Sequence, residues 1–275
     1  MAGEHDYYGQ EVLSLSFDEI GKSLRTSSFL IEVQRGNVSG VKIVHKFGTS
    51  SVGTTLQPVT LSGTYKTPTS ATALEFVSDN TNDTSDGAGA REITIIGLDN
   101  NWKEVVQTIE TSGTAPVALP TDLTRLYCWY VSKSGTYADG TNFSHAGTLT
   151  IREAGGGDVW STINTTPAPL GQSQIGVYTI PAGKSGFILT QDVYVDSNKV
   201  VDFILFQRPS ADTVSAPYSP MRVVNKFIGV SGWAKFDFNA PIDAFVGPCD
   251  IGYLAKTGTG TADITVNFEI LLVDD

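Results

Sequence analysis

Residues 263–272 read Asp263-Ile264-Thr265-Val266-Asn267-Phe268-Glu269-Ile270-Leu271-Leu272. Ile264, Val266, Phe268, Ile270 and Leu272 fall on alternate positions, so an extended chain presents them as one apolar face, with Asp263, Thr265, Asn267 and Glu269 on the other. Period two over this length specifies a long strand with one buried face. The same alternation recurs upstream. Val41, Ile43 and Phe47 share a side, with His45 among them, and read as a core-facing set; Leu13, Leu15 and Phe17 alternate with Ser14 and Ser16. Further strands are expected at 28–34, 73–78, 91–96, 103–110, 123–131, 147–152, 158–163, 174–180, 186–196, 199–208, 221–229, 234–239 and 249–255. Turn chemistry separates them, at 97–101, Ser112-Gly113, Gly155-Gly156-Gly157, Pro181-Ala182-Gly183 and 256–260. No helical stretch intervenes. The expectation is an all-β chain of two antiparallel β-sandwich or jelly-roll-like domains, with less than about 10% helix. No fixed period suggests a β-helix or propeller.

The segment Asn164-Thr165-Thr166-Pro167-Ala168-Pro169-Leu170-Gly171 interrupts the strand pattern with two prolines and is the best internal boundary. It divides the chain into an N-terminal β domain, 28–165, and a C-terminal jelly-roll-like domain, 166–275. Residues 1–27 hold one convincing strand and read as an arm that pairs with a neighbouring subunit through Leu13, Leu15 and Phe17.

Composition narrows the function. The 275 residues carry 29 acidic and 18 basic side chains, a net charge of −11, which argues against duplex nucleic acid or an anionic membrane as partner. No apolar run approaches the roughly 18 residues that would span a bilayer, and Met1 to Gln10 is polar and aromatic; the expectation is a soluble chain without a signal peptide. Cys128 lies in the apolar run 126–131 and reads as a small buried thiol, not paired with Cys249.

Motifs for chemistry fail at identifiable positions. Of the three histidines, His5 lies near the terminus, His45 reads as a structural residue on a core face and His145 lies in the loop before 147–152; no serine or cysteine sits at a signature that would recruit them. Gly229-Val230-Ser231-Gly232 has its second glycine one place early for a nucleophile elbow. Gly183-Lys184-Ser185 ends like a phosphate loop, but Tyr178 stands where the first glycine must be. Gly87-Ala88-Gly89-Ala90 has Glu92 in place of the third glycine of a dinucleotide loop. The acidic stretch 78–87 offers Asn82, Thr84 and Asp86 in calcium-loop spacing, but Ile93 occupies the terminal glutamate position; a solvated hairpin tip is the simpler reading, with an irregular calcium site left open. No zinc spacing occurs, and no cofactor is expected. Trp129 and Trp160 read as core, whereas Trp102 and Trp233 are the candidates for exposed rings that could stack on a ligand.

One resemblance follows from strand-and-turn segments. Ile93-Thr94-Ile95-Ile96-Gly97-Leu98-Asp99-Asn100-Asn101-Trp102, then Glu104 to Glu110 and Gly113-Thr114-Ala115-Pro116-Val117, resembles a segment of virion structural proteins from marine tailed bacteriophages. Tyr178-Thr179-Ile180-Pro181-Ala182-Gly183, the stretch Val201 to Arg208 and the ending Phe268 to Asp274 are similar to the C-terminal β domain of the same proteins. The resemblance spans roughly residues 35–275 and implies a non-enzymatic virion component assembled in the host cytoplasm, either capsid decoration or a head-to-tail or tail accessory. Such a protein would be a homo-oligomer, a trimer or a higher ring, bound to major capsid or tail proteins. A carbohydrate- or receptor-binding β-sandwich of a phage tail is the rival reading, and a glycan hydrolase with two facing carboxylates is a third.

Overall fold

The computed structural model describes residues 29–137, 143–168, 170–237 and 243–275. The candidate arm, with Leu13, Leu15 and Phe17, lies outside them. The chain groups into two units, residues 1–39 and 40–275. In the first, helix α1 (Phe29–Gln34) replaces the strand expected at 28–34. Phe29, Leu30 and Ile31 are consecutive apolar residues without alternation, Arg35 N donates to Ile31 O four residues back, and Arg35 pairs with Glu32 at 2.9 Å.

The second unit is built of strands β1 (Val41–Val52), β2 (Gln57–Pro58), β3 (Leu74–Ser78), β4 (Ala90–Leu98), β5 (Glu104–Glu110), β6 (Val117–Ala118), β7 (Arg125–Ser134), β8 (Leu149–Glu153) and β9 (Val159–Ile163). It continues with β10 (Val177–Ile180), β11 (Lys184–Val195), β12 (Val201–Pro209), β13 (Arg222–Val230), β14 (Trp233–Asp237), β15 (Phe245–Val246), β16 (Cys249–Thr257) and β17 (Ala262–Asp274). Among the described residues all pairings are antiparallel, and with about 54% of these residues in strands and 3% in helix the fold is all-β. Among the described residues no helix is long and apolar enough to cross a membrane.

Among the described residues four sheets enclose two large cores, with a small third cluster at Ile175, Val177 and Phe206. Sheets β1-β17-β11-β14 and β10-β16-β12-β13 bury Ile188, Val193, Phe203, Leu205, Tyr253, Phe268 and Ile270 together. Sheets β6-β3-β8-β9 and β5-β4-β7 share the other core around Phe76, Ile93, Ile95, Trp129 and Ile151. Leu98 and Tyr127 of the β5-β4-β7 sheet point into the first core, so that sheet serves both.

The strand pairing departs from the expected division at one point. β1, placed by sequence in the N-terminal domain, pairs along its whole length with β17, from Val41 opposite Val273 to Val52 opposite Ala262. Strands β3 to β9 are therefore an insertion between β1 and β10, and the first core is assembled from both ends of the chain. Gly48 shows how closely the layers approach: a Cβ there would stand 2.2 Å from Gly176 N and 2.4 Å from Val59 O.

Candidate interaction surface

The outer face of β1-β17-β11-β14 is defined by register. On β17 the predicted apolar set faces inward, with Ile264, Val266, Phe268, Ile270 and Leu272 all buried. β1 follows it with the opposite sense to the one expected. Lys46 lies opposite buried Phe268, and Ser50 opposite buried Ile264; Ile43, His45 and Phe47 lie opposite Leu271, Glu269 and Asn267. His45 is exposed, stacked on Phe47 with ring centroids 6.2 Å apart, and is not a core histidine. Among the inner positions of β1, Gly48 has no room for a side chain because the backbone of Val59 and Gly176 presses against it, while Val44 and Val52 pack on the core.

The outer face consequently carries apolar residues as well. Ile43, Leu271 and Phe187 form one cross-strand row; Val41, Val273, Ser185 and Val246 form the next. Val246 is 58% exposed and the others are half-buried by their strand neighbours. Beyond a row made by His45, Glu269 and Thr190, the far end becomes polar and aromatic: Phe47, Asn267, Asp192 and Lys235, then Thr49, Thr265, Tyr194 and Trp233.

Of the two tryptophans expected to be open, only Trp233 is, at 64%. Trp102 sits in the β4–β5 turn with φ of 59°, packs against the first core and lies over the Arg125 guanidinium at 4.8 Å. The Trp102 backbone N–H donates to Asp99 O, and Ala182 N donates to Trp102 O, tying this turn to the β10–β11 turn. Trp129 and Trp160 are buried, as their strands required.

Arg125 opens an ionic junction that sequence reasoning missed. Its Nε and Nη2 donate to Asp250 Oδ1 and Oδ2 at 2.9 and 3.0 Å, and both residues are buried. Thr179 Oγ1 donates to Asp250 Oδ1 at 2.6 Å, Tyr65 OH lies 2.8 Å from Thr179, and Arg208 Nη1 stands 3.6 Å from Asp250 Oδ2. Beside it Glu104 takes Lys42 Nζ at 2.6 Å and Tyr127 OH at 2.7 Å, and the Lys46 ammonium donates to Tyr127 O. Burial pushes Lys46 down to about 8, and burial with the neighbouring Asp250 charge pushes the Cys249 thiol up to about 12. Both cysteines are free thiols, Cys128 half-buried and Cys249 buried. These contacts join β7 and β5 to β16, β10 and β1; they fix the insertion on the first core.

The remaining sequence candidates have structural duties. The acidic stretch is more than a solvated tip: Asp83 is fully buried and receives Ser78 Oγ, Ala90 N, Ala146 N and Gly147 N at 2.5 to 2.9 Å. Thr84 donates to Asp86 at 2.9 Å within the same loop. His145 is buried beside it, its ring nitrogens against Ser144 Oγ and Asn164 O, and burial lowers its pKa. Lys184 and Ser185, the apparent phosphate-loop end, are engaged by Asp274 and Asp275. Among the described residues no group of three His, Cys, Asp or Glu side chains could hold a metal ion.

No protein-family model matches the chain, and no curated protein does. Solved structures give distant likenesses. The Gx strain of infectious bursal disease virus aligns at 8% identity over 85% of this chain and 76% of that one, with a TM-score of 0.22. A mutant VP2 protein of the same virus, in derived T=1 particles, aligns at 9% identity over 91% and 80%, with a TM-score of 0.21. Scores of that size do not distinguish a shared fold from a chance one.

Proposed function

We propose that this chain is a non-enzymatic structural component of a bacteriophage virion, a capsid decoration or head-to-tail or tail accessory protein, that assembles as a homo-oligomer and binds other virion proteins. The observation that carries the reading is the apolar half of the outer sheet face, Val41, Ile43, Phe187, Leu271, Val273 and Val246. A sheet already buried on one side has no folding reason for a second apolar face, and a contiguous apolar face left partly open to solvent marks a contact surface. Over four strands the apolar end, from Val41 to the His45 row, measures about 250 Å², the apolar centre of a contact whose rim must come from neighbouring loops to reach the roughly 1,000 Å² of a specific interface.

Strand order supports the reading. Counted along the chain, β1, β10, β11, β12, β13, β14, β16 and β17 run 1-8-3-6 in one sheet and 2-7-4-5 in the other. We infer a jelly roll from this order, an architecture used in capsids and in lectins, with the β3–β9 insertion as its projecting part. The sequence resemblance to marine tailed-phage virion proteins points the same way.

Native mass measurement at micromolar concentration tests the assembly. Wild type should be oligomeric, a trimer or a ring, and Leu271→Asp should shift it toward monomer, at a cost in stability of about 1–2 kcal/mol for a half-buried position in a central strand. A wild-type protein that is monomeric both in solution and in assembled particles refutes the proposal.

A further inference from the structure

The polar and aromatic end of the outer face has a chemistry that a copy-to-copy contact does not explain. Tyr194 and Trp233 are directly opposed across β11 and β14, 49% and 64% exposed. Opposed residues hold their Cβ atoms about 5 Å apart, close to the length of one pyranose unit. One row along, Asp192 is opposed on one side to Asn267 and on the other to Lys235, and Asn267 Nδ2 donates to Asp192 Oδ1 at 2.7 Å. Two rings therefore stand on a rigid sheet next to a strip of carboxylate, carboxamide and ammonium groups, and the hydroxyls of Thr49 and Thr265 continue the aromatic row.

An apolar protein surface laid here would desolvate Asp192 and Lys235 without returning hydrogen bonds to them. A nucleic acid would meet Asp192, Glu269 and a chain of net charge −11. A sugar satisfies both halves: its axial C–H face stacks on a ring while its equatorial hydroxyls reach the polar strip. Because the platform lies on an open sheet and not in a closed cleft, it suits the middle of an extended chain.

We propose that Trp233, Tyr194, Asp192 and Asn267 form a binding site for an unbranched β-1,4-linked oligosaccharide of gluco configuration. Trp233 and Tyr194 stack on pyranose faces; Asp192 and Asn267 hydrogen-bond the hydroxyls. This site goes beyond the assembly role and uses the other end of the face.

Titration of the full chain with cellohexaose and chitohexaose, read by calorimetry and by the emission of the exposed Trp233, tests it. At least one should bind wild type at millimolar concentration, and Trp233→Ala, Tyr194→Ala and Asp192→Ala should each weaken binding about tenfold or more. Melting temperature and native mass should stay unchanged in these variants, and Leu271→Asp should retain sugar binding whatever its mass. The site is overturned if neither oligosaccharide binds, if binding survives Trp233→Ala, or if Trp233→Ala dissociates the oligomer, which would make the row a contact between copies.

Discussion

Two carboxylates buried in different regions, Asp250 at the junction and Asp83 inside the inserted strands, are held by opposite means. Asp250 is neutralised by a cation, in a two-pronged contact with Arg125 supported by Thr179 and, at longer range, Arg208. Among the described residues no cation lies within salt-bridge distance of Asp83; three backbone N–H groups and the Ser78 hydroxyl converge on it. The first arrangement joins pieces far apart in sequence, residue 125 to residue 250. The second joins two loops within the inserted strands, bringing 78–90 against 146–147. A charge that docks one layer on another needs a partner with its own charge and geometry, whereas a charge that shapes a loop needs only the N–H groups the loop leaves unpaired.

The difference predicts unequal responses. Asp250→Ala leaves Arg125 buried without its counter-charge and should cost about 3–5 kcal/mol in urea unfolding. Replacing both partners, Arg125→Met with Asp250→Leu, should recover most of that loss, since the unpaired charge disappears. Asp83→Asn keeps one acceptor oxygen and turns the other into a donor facing donors, so the expected cost is smaller, about 1–3 kcal/mol. If Asp83→Asn proves the more damaging of the two single changes, the comparison is wrong and the loop clamp, not the junction, dominates stability.

Acid should separate two groups within the inserted strands. His145 is kept neutral by burial, with a folded pKa below the ordinary 6.5, so its contribution is complete above about pH 6.5 and falls away as pH drops through the folded value. Glu75 is held below the usual 4.5 first by the Gly155 N–H, with Arg152 and Gly156 N adding to it. Its contribution is intact above pH 4.5 and is lost as pH falls beneath it. Stability followed by urea midpoint from pH 8 to 3 should therefore decline in two stages, and His145→Gln should flatten the upper one alone. A single decline confined below pH 4.5 in wild type would remove His145 from this account.

Legibility in the sequence followed the physics of each element. β17 was readable because its two faces differ: apolar inside, mostly polar outside through Thr265, Asn267 and Glu269. β1 was readable as a strand but not in its sense, since Val41, Ile43 and Phe47 outrank Val44, Gly48 and Ser50 in hydrophobicity and yet face outward. Trp102 was misplaced because a positive φ in the turn folds its ring back over Arg125. The Arg125–Asp250 pair spans 125 positions and leaves no local trace. Helix α1 at 29–34 is a short apolar run, for which period alone does not decide between helix and strand. The open Trp233 was foreseen from its place after Gly232; its partner Tyr194 emerges only from the register of β11 with β14.

The smallest expected effect is the sharpest test of that inverted strand. A shift of one residue in β1 would exchange its faces, sending His45 into the core and Lys46 to solvent. With the register as found, His45→Ala removes an exposed ring opposite Glu269 and should change stability by no more than about 0.5 kcal/mol. Lys46→Ala, one position on, strips a buried carbonyl of its donor at Tyr127 and should cost about 1–3 kcal/mol. The two variants differ by one position, so a reversal of their order in the same unfolding assay could come only from the opposite facing of β1. The apolar outer rows, and with them the assembly surface, would then fall together.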